Sequence, residues 1–120
     1  MELTTEIFEM VDDELRCIQL DNRFKFIKAQ LDKPRPEATF RYKDNDSEVD
    51  MEIKYSVPKK FFGAGVVKDI ETLMNICKSI HINKNYKMQN INIGTRKVKG
   101  EYYNRQDGTS ITISTLRGLY

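Results

Sequence analysis

Alternating apolar and polar residues give the clearest structural prediction along this 120-residue chain. From Glu48 to Val57 every second residue is apolar, which is the pattern of a β-strand with one buried face. Residues 38–43 alternate in the same way, and the Asp-Asn-Asp-Ser segment at 44–47 has the composition of a turn. These two segments are therefore predicted to form an antiparallel hairpin, with basic side chains on one strand facing acidic side chains on the other.

Two other segments repeat their apolar residues with the period of a helix. Residues 5–19 and 67–81 place apolar side chains three or four positions apart. Each segment is therefore predicted to be an amphipathic helix, and the exposed side of the first is acidic. Residues 23–31 fit both the helical and the strand period. Their aromatic and β-branched content favours a strand.

The last third of the chain returns to strand patterns. Three strands are predicted around residues 90–93, 96–105 and 111–113, with turns at Gly94 and at 107–108. Strands and helices that occur in separate runs favour an α+β fold, in which two helices pack on an antiparallel sheet of about five or six strands. A partly closed barrel is the alternative. No internal repeat or linker is visible, so residues 1–120 are predicted to form a single α+β domain.

The charge of the chain is unevenly distributed. Residues 1–52 contain 14 Asp and Glu against 8 Lys and Arg, whereas the remaining residues contain 4 against 12. This asymmetry favours a charged partner, or self-association of the acidic with the basic part, over catalysis. An acidic patch on the first predicted helix would imitate DNA toward a basic groove, and it consists of Glu9, Asp12, Asp13 and Glu14.

A basic strand in the second part of the chain is the main candidate binding site. Its cations and aromatic rings would fit either a phosphate backbone with stacked bases or an acidic protein surface. The alternative is a solvated strand face, where lysine discourages pairing between sheet edges. One face of this predicted strand carries Lys97, Lys99, Tyr103 and Arg105, and the other carries Arg96 and Tyr102.

Lys59 and Lys60 form a second, weaker candidate binding site. They precede two phenylalanines and a Gly-Ala-Gly segment, a combination that loosely resembles a phosphate-binding loop. The glycine spacing fits neither the P-loop nor the dinucleotide-binding pattern. A flexible loop that leads to the second helix and is anchored by Phe61 and Phe62 in the core is the favoured interpretation.

No motif in the sequence specifies a chemical reaction. Cys17 and Cys77 lie in apolar segments and are predicted to be reduced thiols in the core. His81 follows Cys77 by four residues, but a zinc site there would need carboxylates to complete it. Nucleophile-elbow, zinc-protease and dithiol motifs are missing from the sequence. We therefore predict a protein that is not an enzyme and that uses no cofactor and no metal.

The sequence shows neither a signal-peptide pattern nor an apolar stretch long enough to span a membrane, so we expect a cytoplasmic protein. In size, composition and lack of motifs the chain resembles small proteins of bacteriophages and mobile elements, including anti-CRISPR inhibitors. That resemblance implies a protein that occupies a partner's surface in the host cytoplasm.

Three hypotheses about function follow from these observations. The leading one is an inhibitor, without enzymatic activity, of a host nucleic-acid-processing or defence complex. The alternative is a module that binds nucleic acid or a nucleotide through the basic and aromatic strand at 95–105. The third is a homo-oligomer in which acidic and basic surfaces meet.

Overall fold

The computed structural model describes residues 5–32, 34–43 and 50–116. Two helices and six strands account for most of these residues, and a short 3-10 turn at Lys59–Phe61 precedes the second helix. The elements are α1 (Thr5–Arg16), β1 (Lys25–Gln30), β2 (Glu37–Lys43), β3 (Asp50–Ser56), α2 (Val66–Ser79), β4 (Tyr86–Ile93), β5 (Lys97–Asn104) and β6 (Ser110–Leu116). The predicted turn at 44–47 lies outside the described residues.

All six strands belong to one antiparallel sheet, in the order β1-β2-β3-β6-β5-β4. This confirms the prediction of an α+β fold with two helices on an antiparallel sheet. The sheet remains open and does not close into a barrel, because within the described chain β1 and β4 each pair with only one neighbour. Neither helix in the described ranges has the length and apolar character needed to cross a membrane.

Both helices pack on the same face of the sheet, which we call the inner face. Phe40, Ile53, Ile113 and Gly100 pair side by side across the four middle strands, so they share one face. All four are buried, because α1 and α2 cover this face. Each helix contributes two fully buried side chains four residues apart to the core, and these are Val11 and Leu15 of α1 and Leu73 and Cys77 of α2.

The described chain consists of two halves with the same order of elements, one helix followed by three strands. Corresponding elements begin 60 or 61 residues apart, at Thr5 and Val66, Lys25 and Tyr86, Glu37 and Lys97, and Asp50 and Ser110. The strand order is mirrored about the β3–β6 pair. Each helix lies over the middle strand of the other half, α1 on β5 and α2 on β2. The structure therefore contains a repeat that the sequence analysis did not find.

The ends of the two helices correct two predictions. α1 ends at Arg16, three residues earlier than predicted, and Cys17 beyond it is exposed. The prediction that Cys17 is a core thiol is therefore wrong, whereas Cys77 is buried as predicted. α2 ends at Ser79, so His81 lies beyond the helix and does not continue the face that carries Cys77.

Candidate functional site

The face of the sheet opposite the helices, which we call the outer sheet face, is polar, and the side chains of its three rows are exposed or half-buried except Thr39, which is buried. Its side chains form three rows that each cross all six strands, although the register shifts once between β1 and β2, at Phe26–Lys28, and once between β4 and β5, at Met88–Asn90. The first row is Lys25, Arg41, Glu52, Ser114, Lys99 and Asn92; the second is Lys28, Thr39, Lys54, Thr112, Glu101 and Asn90; the third is Gln30, Glu37, Ser56, Ser110, Tyr103 and Lys87.

The outer sheet face has an excess of positive charge. With Lys97, which lies beside the first row, the described side chains of this face comprise seven cations and three carboxylates. Arg41 Nη2 pairs with Glu52 Oε2 at 2.9 Å, and Lys99 Nζ lies 3.7 Å from Glu101 Oε1. Exposed pairs of this kind add little stability. The other five cations have no ion-pair partner among the described residues, and they are Lys25, Lys28, Lys54, Lys87 and Lys97.

Three of the predicted binding residues of the basic strand lie on this face. Lys97, Lys99 and Tyr103 of β5 point outward, in alternation with buried neighbours. β5 lies between β4 and β6, so protection of a sheet edge does not explain its lysines. Arg96 precedes the strand and Arg105 lies in the turn after it, and both residues are exposed. The strand thus adds a positive surface to the middle of one half of the sheet.

Three predicted binding residues lie elsewhere. Tyr102 faces the core with 1% of its surface exposed, so its ring is not available to stack on a base. Lys59 and Lys60 are exposed in the 3-10 turn before α2, outside the three rows. Phe62, which follows them, packs against the core, in agreement with an anchored loop. The side chain of Phe61 lies outside the described part of the chain.

The predicted acidic patch lies on the helix side of the sheet. Glu9, Asp13 and Glu14 are exposed on α1, whereas Asp12 is half-buried. Since α1 packs on the inner face, these acids and the cations of the outer sheet face are on opposite sides of the molecule. The exposed acids of α1 and the cations of the outer sheet face are therefore separated by the sheet, and no described ion pair joins them.

Asp12 belongs to a hydrogen-bond network that ties α1 to the second half of the chain. Its Oδ1 accepts a hydrogen bond of 2.7 Å from the hydroxyl of Tyr102, and both of its carboxylate oxygens accept from Arg16 Nε at 3.1 and 3.2 Å. Arg16 Nη1 also donates to the carbonyl oxygens of Asn83 and Tyr86, at 3.2 and 3.0 Å. Its guanidinium carbon lies 4.9 Å from the centre of the Tyr102 ring. We call this set the Arg16 network.

Replacement of Asp12 by Ala is expected to lower the free energy of unfolding by about 2 kcal/mol, because the buried Tyr102 hydroxyl loses its acceptor. Urea denaturation followed by circular dichroism measures the change. Asp13→Ala is the matched control: this neighbour is exposed, so its loss is expected to change stability by no more than about 0.5 kcal/mol. Equal effects of the two substitutions would show that Asp12 contributes only surface charge.

The cysteines and the histidine offer no metal site in the part of the chain that the structure describes. No three His, Cys, Asp or Glu side chains come together there. Burial raises the pKa of the Cys77 thiol to about 12, so this group is protonated at neutral pH. A protonated thiol is a poor nucleophile and a poor metal ligand. Cys77 therefore acts as an apolar core residue.

Sequence reasoning missed the contribution of the first half to the outer sheet face. Lys25, Lys28, Arg41 and Lys54 lie on the same face as Lys97 and Lys99. The alternation along β2 and β3 contained part of this signal, since it placed the polar side chains of the hairpin on one face. The two halves come together on one face only because β6 joins β3 to β5, and strand order is not readable from alternation.

The outer sheet face is a polar surface that regular structure organises across all six strands. Its extent follows from the register of six strands, and its charge follows from the side chains in the three rows. Comparison of the chain with protein-family models, with curated proteins and with solved structures finds no significant match. Function is therefore inferred from geometry, burial and charge.

Proposed function

We propose that this protein is a non-enzymatic binding protein that covers the surface of a partner protein with its outer sheet face. The observation that supports this proposal is the set of three polar rows across six strands, which together with Lys97 carry seven cations and three carboxylates among the described side chains. Positive and negative potentials that match across an interface increase the association rate and select among partners. The partner surface should therefore be predominantly acidic.

The mixture of charges favours a protein partner over nucleic acid. Glu37, Glu52 and Glu101 interrupt the cations of the outer sheet face, and such carboxylates would repel a phosphate backbone. Glu52 and Glu101 are paired with Arg41 and Lys99 on this face, so the surface combines local ion pairs with further cations, a mixed pattern that a protein surface can match. The partner class that we propose is a nucleic-acid-processing or defence complex in the host cytoplasm, which this chain would inhibit by occlusion. The resemblance in size and composition to phage-encoded inhibitors supports this finer assignment.

Charge reversal on the outer sheet face tests this proposal. The protein with Lys97→Glu and Lys99→Glu is used as bait in parallel with the unchanged protein, and retained host proteins are identified by mass spectrometry. A specific partner is expected to bind the double variant at least about tenfold more weakly. The matched control is Lys68→Glu with Lys84→Glu, which makes the same change in charge at two exposed lysines outside the three rows.

The control variant is expected to retain the partner as well as the unchanged protein does. If both double variants retain it equally, the outer sheet face is not the contact surface and the proposal is wrong. Light scattering at low ionic strength tests whether the protein associates with further copies of itself. Because the acidic and basic surfaces are on opposite sides of the sheet, a second copy would bind head to tail and form open-ended assemblies, not a closed dimer.

Nucleic acid is the alternative partner, and the position of Tyr103 favours it. Tyr103 pairs with Lys87 across β4 and β5, so an aromatic ring and a cation are adjacent on the exposed face. Such a pair suits a base stacked beside its phosphate. Fluorescence anisotropy with labelled single- and double-stranded DNA decides between the partners. Binding that falls steeply with salt and is weakened by Tyr103→Ala would support nucleic acid and contradict the protein-partner proposal.

A further inference from the structure

An open apolar groove lies between β1, β2 and α2. Its volume is about 560 Å³, within the range of pockets that hold small molecules. Phe24, Phe26 and Phe40 line it from the sheet side, and Met74 and Lys78 line it from α2. The rings of Phe26 and Phe40 meet edge to face with their centres 5.8 Å apart. Phe26 is nevertheless 45% exposed, which is unusual for a large aromatic residue in a sheet.

The repeat provides an internal comparison for this groove. Arg16 and Lys78 occupy corresponding positions, since each follows the second buried residue of its helix, Leu15 in α1 and Cys77 in α2. In the second half of the chain, the Arg16 network bridges the end of α1 and the start of β4. At the corresponding place in the first half the groove stays open, with Lys78 at its edge.

The two halves also differ in the residue one helical turn before the cation. Arg16 pairs with Asp12, four residues earlier on α1. The residue four positions before Lys78 is Met74, which carries no charge and lines the groove. Lys78 forms no ion pair with any residue that the structure describes. The groove in the first half therefore has a cation beside an apolar cavity. It lacks a carboxylate in the position from which Asp12 pairs with Arg16 in the second half.

We propose that the groove binds a small organic anion with an aromatic body, such as an aromatic carboxylate or sulfonate. The aromatic body would lie against Phe26 and Phe40, where rings can meet edge to face or in offset stacks. The anionic group would pair with Lys78, in the role that the Asp12 carboxylate has beside Arg16. This binding site is separate from the outer sheet face, because the groove lies on the helix side of the sheet.

The other charged groups at the groove are consistent with an anionic ligand. Asp21 is the one carboxylate that lines it, and the Asp21 Oδ2 is 2.8 Å from Arg23 Nη2. This guanidinium neutralises the carboxylate, and its central carbon lies 4.9 Å from the centre of the Tyr42 ring. The remaining polar lining residue is Asn22, which is uncharged. Among the residues that line the groove, Lys78 is therefore the charged side chain that can pair with a ligand.

Titration with 1-anilinonaphthalene-8-sulfonate, an aromatic sulfonate that fluoresces in apolar sites, tests this proposal. We expect saturable binding of one molecule per chain to the folded protein. Phe26→Ser and Lys78→Gln are each expected to weaken this binding about tenfold, because each removes one of the two contacts. Both residues are exposed enough for the variants to fold, and thermal unfolding checks that they do.

Two matched variants control for the general loss of apolar surface and of positive charge. Met88→Ser removes an apolar side chain of similar exposure, 41%, from the other edge strand, and Lys68→Gln removes a lysine from the same helix. Both are expected to bind the dye as the unchanged protein does. Equal loss in all four variants, or no saturable binding to the unchanged protein, would overturn the proposal. The groove variants leave the outer sheet face intact, so the two proposals fail separately.

Competition with unlabelled naphthalene compounds tests the charge preference. 1-Naphthoate is expected to displace the dye at concentrations about tenfold lower than those of the neutral 1-naphthylmethanol or the cationic 1-naphthylmethylamine. In the Lys78→Gln protein this preference for the anion is expected to disappear. If the three compounds compete equally with the dye on the unchanged protein, Lys78 does not select the ligand and the assignment of an anion is wrong.

Discussion

Stability is expected to fall steeply as the pH rises above about 9, because unfolding then exposes buried groups that ionise. Burial raises the pKa of Cys77 from its ordinary value of 9.0 to about 12. Burial also raises the pKa of Tyr55 above its ordinary value of 10.0, and the neighbouring Cys77 raises it further. Both groups stay protonated in the folded protein at a pH where the unfolded chain has already released their protons.

The direction of this change in stability with pH follows from the raised pKa values of the two groups. A group whose pKa is higher in the folded state contributes its full stability below the unfolded pKa and loses it as the pH rises toward the folded pKa. For each such group, the free energy of unfolding falls by about 1.4 kcal/mol for every pH unit between the pKa in the unfolded chain and the pKa in the folded protein. At pH 11, Cys77 and Tyr55 together are expected to lower the free energy of unfolding by about 4 kcal/mol.

Urea denaturation at pH 7, 9, 10 and 11 measures this decline. Cys77→Ala is expected to remove the decline in the free energy of unfolding between about pH 9 and 10, because Tyr55 contributes only above about pH 10. Cys17→Ala is the matched control, because Cys17 is exposed, and it should keep the decline of the unchanged protein. If Cys77→Ala shows the same pH dependence as Cys17→Ala, the Cys77 thiol is not the group that titrates.

Replacement of Gly100 by Val is expected to destabilise the protein by about 3 kcal/mol, the upper end of the usual range for an overfilled core. A Cβ atom at this position would lie 2.7 Å from Leu15 Cδ1 and 3.0 Å from Tyr102 Cε2. Both neighbours are only 1% exposed and have little room to move. The added side chain would therefore push α1 away from β5 and strain the Arg16 network.

Thermal and urea unfolding of the Gly100→Val protein measure this effect. Ser114→Val on β6 is the matched control, because it also adds a β-branched side chain in the middle of the sheet but on the outer face, where about 0.5 kcal/mol or less is expected. A double-mutant cycle with Leu15→Ala and Gly100→Ala tests the contact itself. The loss of unfolding free energy in the double variant should be smaller than the sum of the losses in the two single variants. If the losses simply add, the close approach of helix and strand is contradicted.

Local patterns predicted the elements of this fold well. The alternation at 48–57 corresponds to β3, and the ambiguous segment at 23–31 contains β1, as its aromatic content indicated. The helical periods at 5–19 and 67–81 correspond to α1 and α2, with small errors at the ends. These predictions succeed because the side chains that face the core are set by the backbone period, which one sequence is enough to reveal.

The candidate site was predicted only in part, because its other determinants are not local. Alternation placed Lys97 and Lys99 on one strand face, but it did not reveal that the polar residues of β2 and β3 share that face. Cys17 looked like a core residue because the helical period was extended past Arg16, where the helix ends. The groove at Phe26 depends on which half of the sheet α2 covers, and no sequence pattern encodes that arrangement.

The crossed arrangement of the helices bears on how such a chain can evolve. Because the main sheet contacts of α1 are with β5 and those of α2 are with β2, the sheet of each half is covered by the helix of the other half. A single half would need a second copy of itself, joined along its third strand as β3 is joined to β6. Duplication and fusion of such a half would give the present chain directly. Once two copies are joined in one gene, symmetry no longer forces corresponding positions to be identical, so one copy can keep a closed, stabilising cluster while the other diverges toward a new ligand.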